Sequence, residues 1–377
     1  MSWTSKAKTG LQITGITLAL FLVVDLVAST LMPQALINVF GEGSLVRISN
    51  RVYHHDLQPD VDAQVRWGQL QHRLCTDANA FKSPCDLSTE QRHNRQFDVA
   101  FIGDSFTEGM GYPYEQTFVG LYAATHPDLR VANLAVSSYA PSIYLKKVEH
   151  LLAYGYTFKT LVVLPDISDI QDEAIYYQLQ NGVVGDRQYP GWLVNASRRF
   201  QECCGTYVSM TSNLLIKVSK DIDRFIDKTT GKLKKVAKTN YPDHPRGHWT
   251  FTPDSDEYGT PGVQGGIDQA LDSMRQLKRL LDQHHINLVV AVYPWDTQLK
   301  HGDVNHRGTL LWRDFCQQQH CAAFIDLNPS FFTKATRLGL EGFKSHYQIP
   351  GDNHFNDAGN QLLFEGLNRG LLQPTVR

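Results

Sequence analysis

Short apolar runs rich in β-branched residues alternate with longer stretches of helical periodicity through most of this chain. The runs at Val99 to Gly103, Arg130 to Leu134, Thr160 to Leu164, Ile286 to Tyr293 and Ala322 to Ile325 are bounded by turn residues and predict strands. Apolar positions spaced three and four apart predict helices over about Thr117 to Thr125, Ile143 to Tyr154, Ile267 to His284 and Gly308 to Gln318. A last helix follows over Asn356 to Leu367, with Leu362, Leu363 and Leu367 on its apolar stripe. Strands alternating with helices imply right-handed crossovers and a parallel sheet covered on both faces, an α/β fold. Sites in such folds form at the carboxyl ends of the strands.

The amino terminus breaks the pattern. Leu11 to Met32 is apolar apart from Gln12, Asp25 and a few small hydroxyl residues, and Pro33 ends it. About twenty such residues cross a bilayer. Lys6 and Lys8 precede the stretch and no comparable basic cluster follows at once, which places residues 1–10 in the cytoplasm and the bulk of the chain outside it. A cleaved signal peptide is the competing reading. The length of the stretch and the poor cleavage site at Val27 to Thr30 favour an uncleaved, single-pass anchor over residues 11–32. Asp25 inside it is costly and suggests hydrogen bonding to a helix of a membrane partner; a shallow or protonated carboxyl is the plainer account.

The first predicted strand runs into Gly103-Asp104-Ser105-Phe106-Thr107-Glu108-Gly109. This sets Ser105 at the end of a strand and the start of a helix, where backbone N–H groups and the helix dipole favour developing negative charge. A hydroxyl nucleophile needs such a setting, because the oxyanion formed on attack must be stabilised. A base is available in Pro350-Gly351-Asp352-Asn353-His354. His354 is placed to take the Ser105 proton and Asp352 to fix the imidazole tautomer. Alone, the Asp352–His354 pair would as easily shape a turn.

In these two blocks the chain resembles the SGNH (GDSL-type) hydrolase superfamily. The resemblance covers about Gln96 to Leu372 and implies a three-layer, flavodoxin-like sandwich with a parallel sheet. It also implies a serine nucleophile at Ser105, a base at His354 and a third triad member at Asp352. Two further blocks depart from the family pattern. Asn133-Leu134-Ala135-Val136-Ser137-Ser138 carries Ser138 where a glycine N–H normally serves the oxyanion hole. Leu164-Pro165-Asp166-Ile167-Ser168-Asp169 carries Ser168 where an asparagine is usual. The oxyanion hole implied by the resemblance is therefore the N–H of Ser105 and Ser138 with the Ser168 side chain. Asp104, Asp169 and Trp295 are expected near the pocket. The D-x-H spacing is similar to that of alginate and peptidoglycan O-acetyltransferases.

Together these features imply a serine esterase or O-acyltransferase, anchored in a bacterial inner membrane and facing the periplasm. Its expected substrate is an acylated, most simply acetylated, envelope or exported polysaccharide, with a membrane acyltransferase as candidate partner and no cofactor. A non-catalytic glycan-binding or scaffold protein on the same fold is one alternative, and a lipid or thioester hydrolase is another. The net charge of −2 over 377 residues gives no reason to expect nucleic acid.

Two segments lie outside the core pattern: residues 33–95, between anchor and catalytic domain, and an insertion over about 171–265. The insertion holds an amphipathic stretch from Leu214 to Ile226, then Lys228, Lys232, Lys234, Lys235 and Lys238. That basic run reads as a solvated face, or as a contact for anionic lipid or acidic glycan. Trp249 and Tyr258 read as packed aromatics or as a sugar platform. The six cysteines suit an oxidising compartment, with short-loop pairs Cys75–Cys85 and Cys316–Cys321. A bond between the adjacent Cys203 and Cys204 would be strained, which leaves their pairing open. Neither the cysteine spacings nor His54-His55-Asp56 and the His244, His248 pair form a convincing metal site.

Overall fold

The structure, a computed structural model, describes residues 3–40, 43–187, 192–229, 245–253 and 255–372. Its centre is a five-stranded parallel sheet made of β1 (Gln96–Gly103), β2 (Val131–Asn133), β3 (Thr157–Leu164), β4 (Asn287–Val292) and β5 (Ala323–Asp326). The spatial order is β2-β1-β3-β4-β5, the flavodoxin-like order, in which the direction of strand addition reverses at a switch point between β1 and β3. Eight helices matter below: α1 (Trp3–Leu31), α2 (Phe118–Thr125), α3 (Pro141–Ala153), α4 (Trp192–Cys204), α5 (Ser209–Thr229), α6 (Gly262–Gln283), α7 (Arg307–Gln319) and α8 (Asp357–Leu372). All five expected strands and the expected core helices form, with ends moved by a few residues.

Because strand side chains alternate between faces, each strand feeds two cores. Ala100, Ile102, Leu161, Val163, Leu288 and Val290 join one apolar cluster with α3, α6 and Trp312 of α7. Val99, Phe101, Val162, Leu164, Val289 and Ala291 join the other with Phe118 and Tyr122 of α2 and Leu362, Leu363 and Leu367 of α8. This two-sided burial explains why Val99–Ile102, Leu161–Leu164 and Leu288–Val292 are apolar at every position rather than at alternate ones.

The 33–95 segment forms two antiparallel hairpins, Arg47–Asn50 with His54–Leu57 and Asp62–Trp67 with Leu70–Cys75. The insertion adds a third, Tyr177–Gln180 with Val183–Asp186, and the helical pair α4 and α5. One helix among the described residues is long and apolar enough to cross a membrane, over Lys8–Leu31. Disulfides join Cys75 to Cys85 and Cys316 to Cys321, and also the adjacent Cys203 and Cys204. His54 and His55 contact each other, with Asp186 beside one ring and the Ser137 carbonyl beside the other. His244 and the run from Lys232 to Lys238 lie outside the described residues, as does the Lys228 side chain.

Candidate active site

β1 delivers Ser105 by way of a turn that excludes side chains. A Cβ on Gly103 would lie 2.2 Å from Thr107 Oγ1 and 2.9 Å from the Leu164 carbonyl oxygen, so only glycine lets the chain turn so tightly beside β3. Asp104 then caps a short helix, Ser105–Glu108, by accepting the Phe106 N–H at 2.9 Å. Glu108, at the end of that helix, is fully buried. It accepts two hydrogen bonds from the Arg47 guanidinium, at 2.9 and 2.7 Å, and the Ser137 N–H at 2.6 Å. Burial pushes the Glu108 carboxyl up, but the Arg47 charge and hydrogen bond outweigh it and hold it below the usual range.

His354 arrives on the loop before α8. The Ile349 N–H donates to the His354 carbonyl at 2.9 Å, and Asn356 closes the loop by donating to the carbonyls of His346 and Gln348. Gly359 permits this closure, since a Cβ there would sit 2.3 Å from the Tyr347 carbonyl oxygen. The imidazole stacks on Phe106 with ring centres 4.5 Å apart. Its Nε2 is 2.8 Å from Ser105 Oγ, and its Nδ1 is 2.6 Å from Asp352 Oδ1. The two distances match the hydrogen-bond lengths of a nucleophile–base–carboxylate relay.

The 33–95 segment reaches this group. The Trp67 indole N–H donates to Asp352 Oδ2 at 2.7 Å, so each oxygen of the carboxylate has a partner. Burial alone would raise Asp352; hydrogen bonds from His354 and Trp67, together with the imidazole charge, overcome it and hold the group at about 2. Asp352 is thus ionised across the neutral range. Trp67 carried no signal in the sequence, because nothing local distinguishes a hairpin tryptophan that packs from one that reaches a distant carboxylate.

Ser105, His354 and Asp352 line a cavity of about 780 Å³, together with Trp67, Asp104, Ser168, Arg246 and Trp295. Asp104 Oδ2 lies 3.2 Å from Ser105 Oγ. Burial raises the Asp104 carboxyl well above its usual range, and the neighbouring Asp166 charge raises it further. The Ser105 hydroxyl therefore has two acceptors within reach, His354 Nε2 at 2.8 Å and Asp104 Oδ2 at 3.2 Å, and the shorter contact is to His354. Trp295 forms part of the cavity wall, with its indole N–H donating to Asp166 Oδ2 at 2.8 Å.

The expected oxyanion donors fare differently. Ser138 is exposed and is not among the residues lining the cavity. It does keep the backbone shape of the glycine it replaces, with φ of 65°, and its carbonyl accepts the Tyr177 hydroxyl at 2.5 Å. Ser168 lines the cavity, but its hydroxyl donates to Asp166 Oδ1 at 2.6 Å. Its one proton is therefore already engaged. Asp169 is not a cavity residue: it is fully buried, where it accepts the Tyr144 hydroxyl at 2.9 Å and the Asp166 N–H at 3.1 Å. Asp166 organises the loop after β3: its carboxylate accepts the Ser168 N–H and hydroxyl, and its own N–H donates to Asp169.

Arg246 is a cavity residue that the sequence did not reveal. The insertion supplies it: Trp249 donates its indole N–H to the Ile167 carbonyl at 2.7 Å, and the Tyr258 hydroxyl donates to the Arg246 carbonyl at 2.9 Å. Both aromatic side chains are fully buried, so they pack rather than offer a sugar platform. The Arg246 guanidinium pairs with buried Asp172, which burial raises to about 6 against the opposing pull of that arginine.

No protein-family model matches the chain, and no curated protein matches it. Solved structures do. An acetylxylan esterase from Geobacillus stearothermophilus is 11% identical over 74% of this chain and 96% of its own, with a TM-score of 0.39. A member of the lipolytic G-D-S-L family from Veillonella parvula is 10% identical over 72% and 96%, also at 0.39. TesA is 11% identical over 73% and 98%, at 0.38. The α/β assignment itself rests on the strand order and two-sided packing given above.

Proposed function

We propose that this chain is a membrane-anchored serine esterase or O-acyltransferase of the SGNH type. The observation that carries the reading is the continuous path from Ser105 Oγ to His354 Nε2 at 2.8 Å and from His354 Nδ1 to Asp352 at 2.6 Å, on the wall of an open cavity. Ser105 Oγ attacks the carbonyl carbon of an acyl ester while His354 Nε2 takes its proton. The ester C–O bond then breaks, and the same proton passes to the departing alcohol. An acceptor hydroxyl, from water or from a sugar, gives its proton to His354 as its oxygen bonds to the acyl carbon; the bond from that carbon to Ser105 Oγ breaks, and His354 returns the proton to Oγ. Asp352 holds Nδ1 protonated throughout and stabilises the imidazolium. Arg246 supports the cavity side of the loop after β3 with a fixed positive charge.

An acetyl ester of an envelope or exported polysaccharide is the substrate class in this reading. An apolar leading helix long enough to span a bilayer supports an active site held outside the cytoplasm. The test uses the full-length protein in detergent with a fluorophosphonate probe. Wild type is expected to label and Ser105→Ala to lose labelling; a folded wild type that does not label overturns the catalytic reading. An acetyl aryl ester is expected to turn over faster than its long-chain counterparts. A marked long-chain preference would favour lipid hydrolysis instead.

A further inference from the structure

The aspartate inside the apolar helix has its partner within this chain. Asp25 of α1 is fully buried, and its carboxylate receives the first turn of α5. The Met210 N–H donates to Oδ1 at 3.1 Å, while the Thr211 N–H and hydroxyl donate to Oδ2 at 2.7 and 2.6 Å. Ser29, one turn further along α1, donates to Asp25 Oδ1 and accepts the Ser209 N–H, both at 3.0 Å. Three N–H groups that a helix start leaves without intrahelical partners are thus satisfied by α1. An anion at the positive end of a helix is also electrostatically favoured.

The position of this joint along α1 matters. Asp25 lies six residues before Leu31, the end of the apolar span, which is about 9 Å along a helix axis. The start of α5 is therefore held at the depth of the outer part of the span, not beyond it. From there α5 presents a second apolar surface. Leu214, Val218, Ile222 and Phe225 recur at helical spacing on one face, and their exposures are 53, 45, 39 and 67%. Lys220 is exposed on the opposite side of the same helix, and Lys217 and Asp221 are exposed along the edge of the stripe.

We propose that α5 is a second membrane-contacting element, with its Leu214, Val218, Ile222 and Phe225 stripe in the acyl-chain boundary of the leaflet where α1 ends. Lipid is the occupant because the stripe begins at a joint already inside the span and continues the exposed apolar surface of α1. Amphipathic helices with this division of faces lie in the interface plane. The Asp25 joint then fixes the height and tilt of the domain on the bilayer, a role a flexible tether would not fill. This inference rests on reading α1 as an uncleaved span.

The test places a spin label at Phe225→Cys, at Lys220→Cys and, as a control for the span, at Leu18→Cys. The full-length protein is reconstituted in nanodiscs of phosphatidylcholine and phosphatidylglycerol. Its native cysteines are all disulfide-bonded, which leaves the introduced thiol for labelling. The ratio of oxygen to nickel-chelate accessibility is expected to be roughly tenfold higher at position 225 than at 220, and close to that at 18. Asp25→Ala is expected to lower the ratio at 225 and leave that at 18 unchanged. Equal water access at 225 and 220 overturns the proposal, and shielding of 225 from both reagents would mean that protein covers the stripe. Water access at 18 would instead overturn the reading of α1 as a span.

Discussion

The two sides of the cavity around Ser105 use their polar groups in opposite ways. On the His354 side, every partner points toward the reacting oxygen. His354 faces Ser105, Asp352 faces His354, and Trp67 secures the oxygen of Asp352 that the imidazole does not use. On the side of the loop after β3, the polar groups turn inward to one buried carboxylate. Asp166 accepts the Ser168 N–H and hydroxyl on one oxygen, and the Tyr293 hydroxyl and Trp295 indole on the other. The first arrangement aligns its hydrogen bonds on Ser105 Oγ and the second holds a wall in place. Two walls of one cavity can therefore differ in whether their polar groups face the cavity or each other.

The contrast can be broken from either side. Asp352→Asn is expected to have the largest effect, a loss of about 10⁴ in kcat on an acetyl ester, because an amide no longer enforces the tautomer with Nδ1 protonated. A loss below tenfold would mean that another group orients His354. Trp67→Phe keeps the aromatic bulk and removes one donor to the carboxylate. It is expected to lower kcat roughly tenfold and to leave KM little changed, since one hydrogen bond to a charged group contributes about 1.5–3 kcal/mol. An unchanged kcat would separate Trp67 from the relay. Ser168→Ala is expected to have the smallest effect on kcat, within about threefold, because its hydroxyl already serves Asp166. A loss of about 10²–10³, the range for removing an oxyanion donor, would show instead that Ser168 turns toward the substrate in the reaction.

Periodicity and turn chemistry made the core legible. Central strands buried on both faces are unbroken apolar runs, and glycine at 103 and 359 marks points where a side chain has no room. Ser105, Asp352 and His354 were legible because short turns at strand and helix ends fix them locally. What stayed hidden depends on contacts between distant segments. Trp67 meets Asp352 across 285 residues of sequence, and Arg246 reaches the cavity because Trp249 and Tyr258 bury against the loop after β3. Asp25 stood out as a costly carboxylate, yet its partner lay 185 and 186 positions away in a segment whose amphipathic pattern gave no address. The inward turn of Ser168 was equally out of reach, since sequence shows which residue occupies a position but not which neighbour claims its proton.

The hydrogen bond from Trp67 to Asp352 also bears on reach. Trp67 lies on a hairpin between α1 and β1, so the stretch that would otherwise act as a spacer is fastened to the reaction centre. Adding or removing residues there would disturb the carboxylate as well as the length of the stalk. With α1 as an anchor, as proposed above, this fastening would keep Ser105 at a nearly constant distance from the bilayer rather than at the end of a flexible stalk.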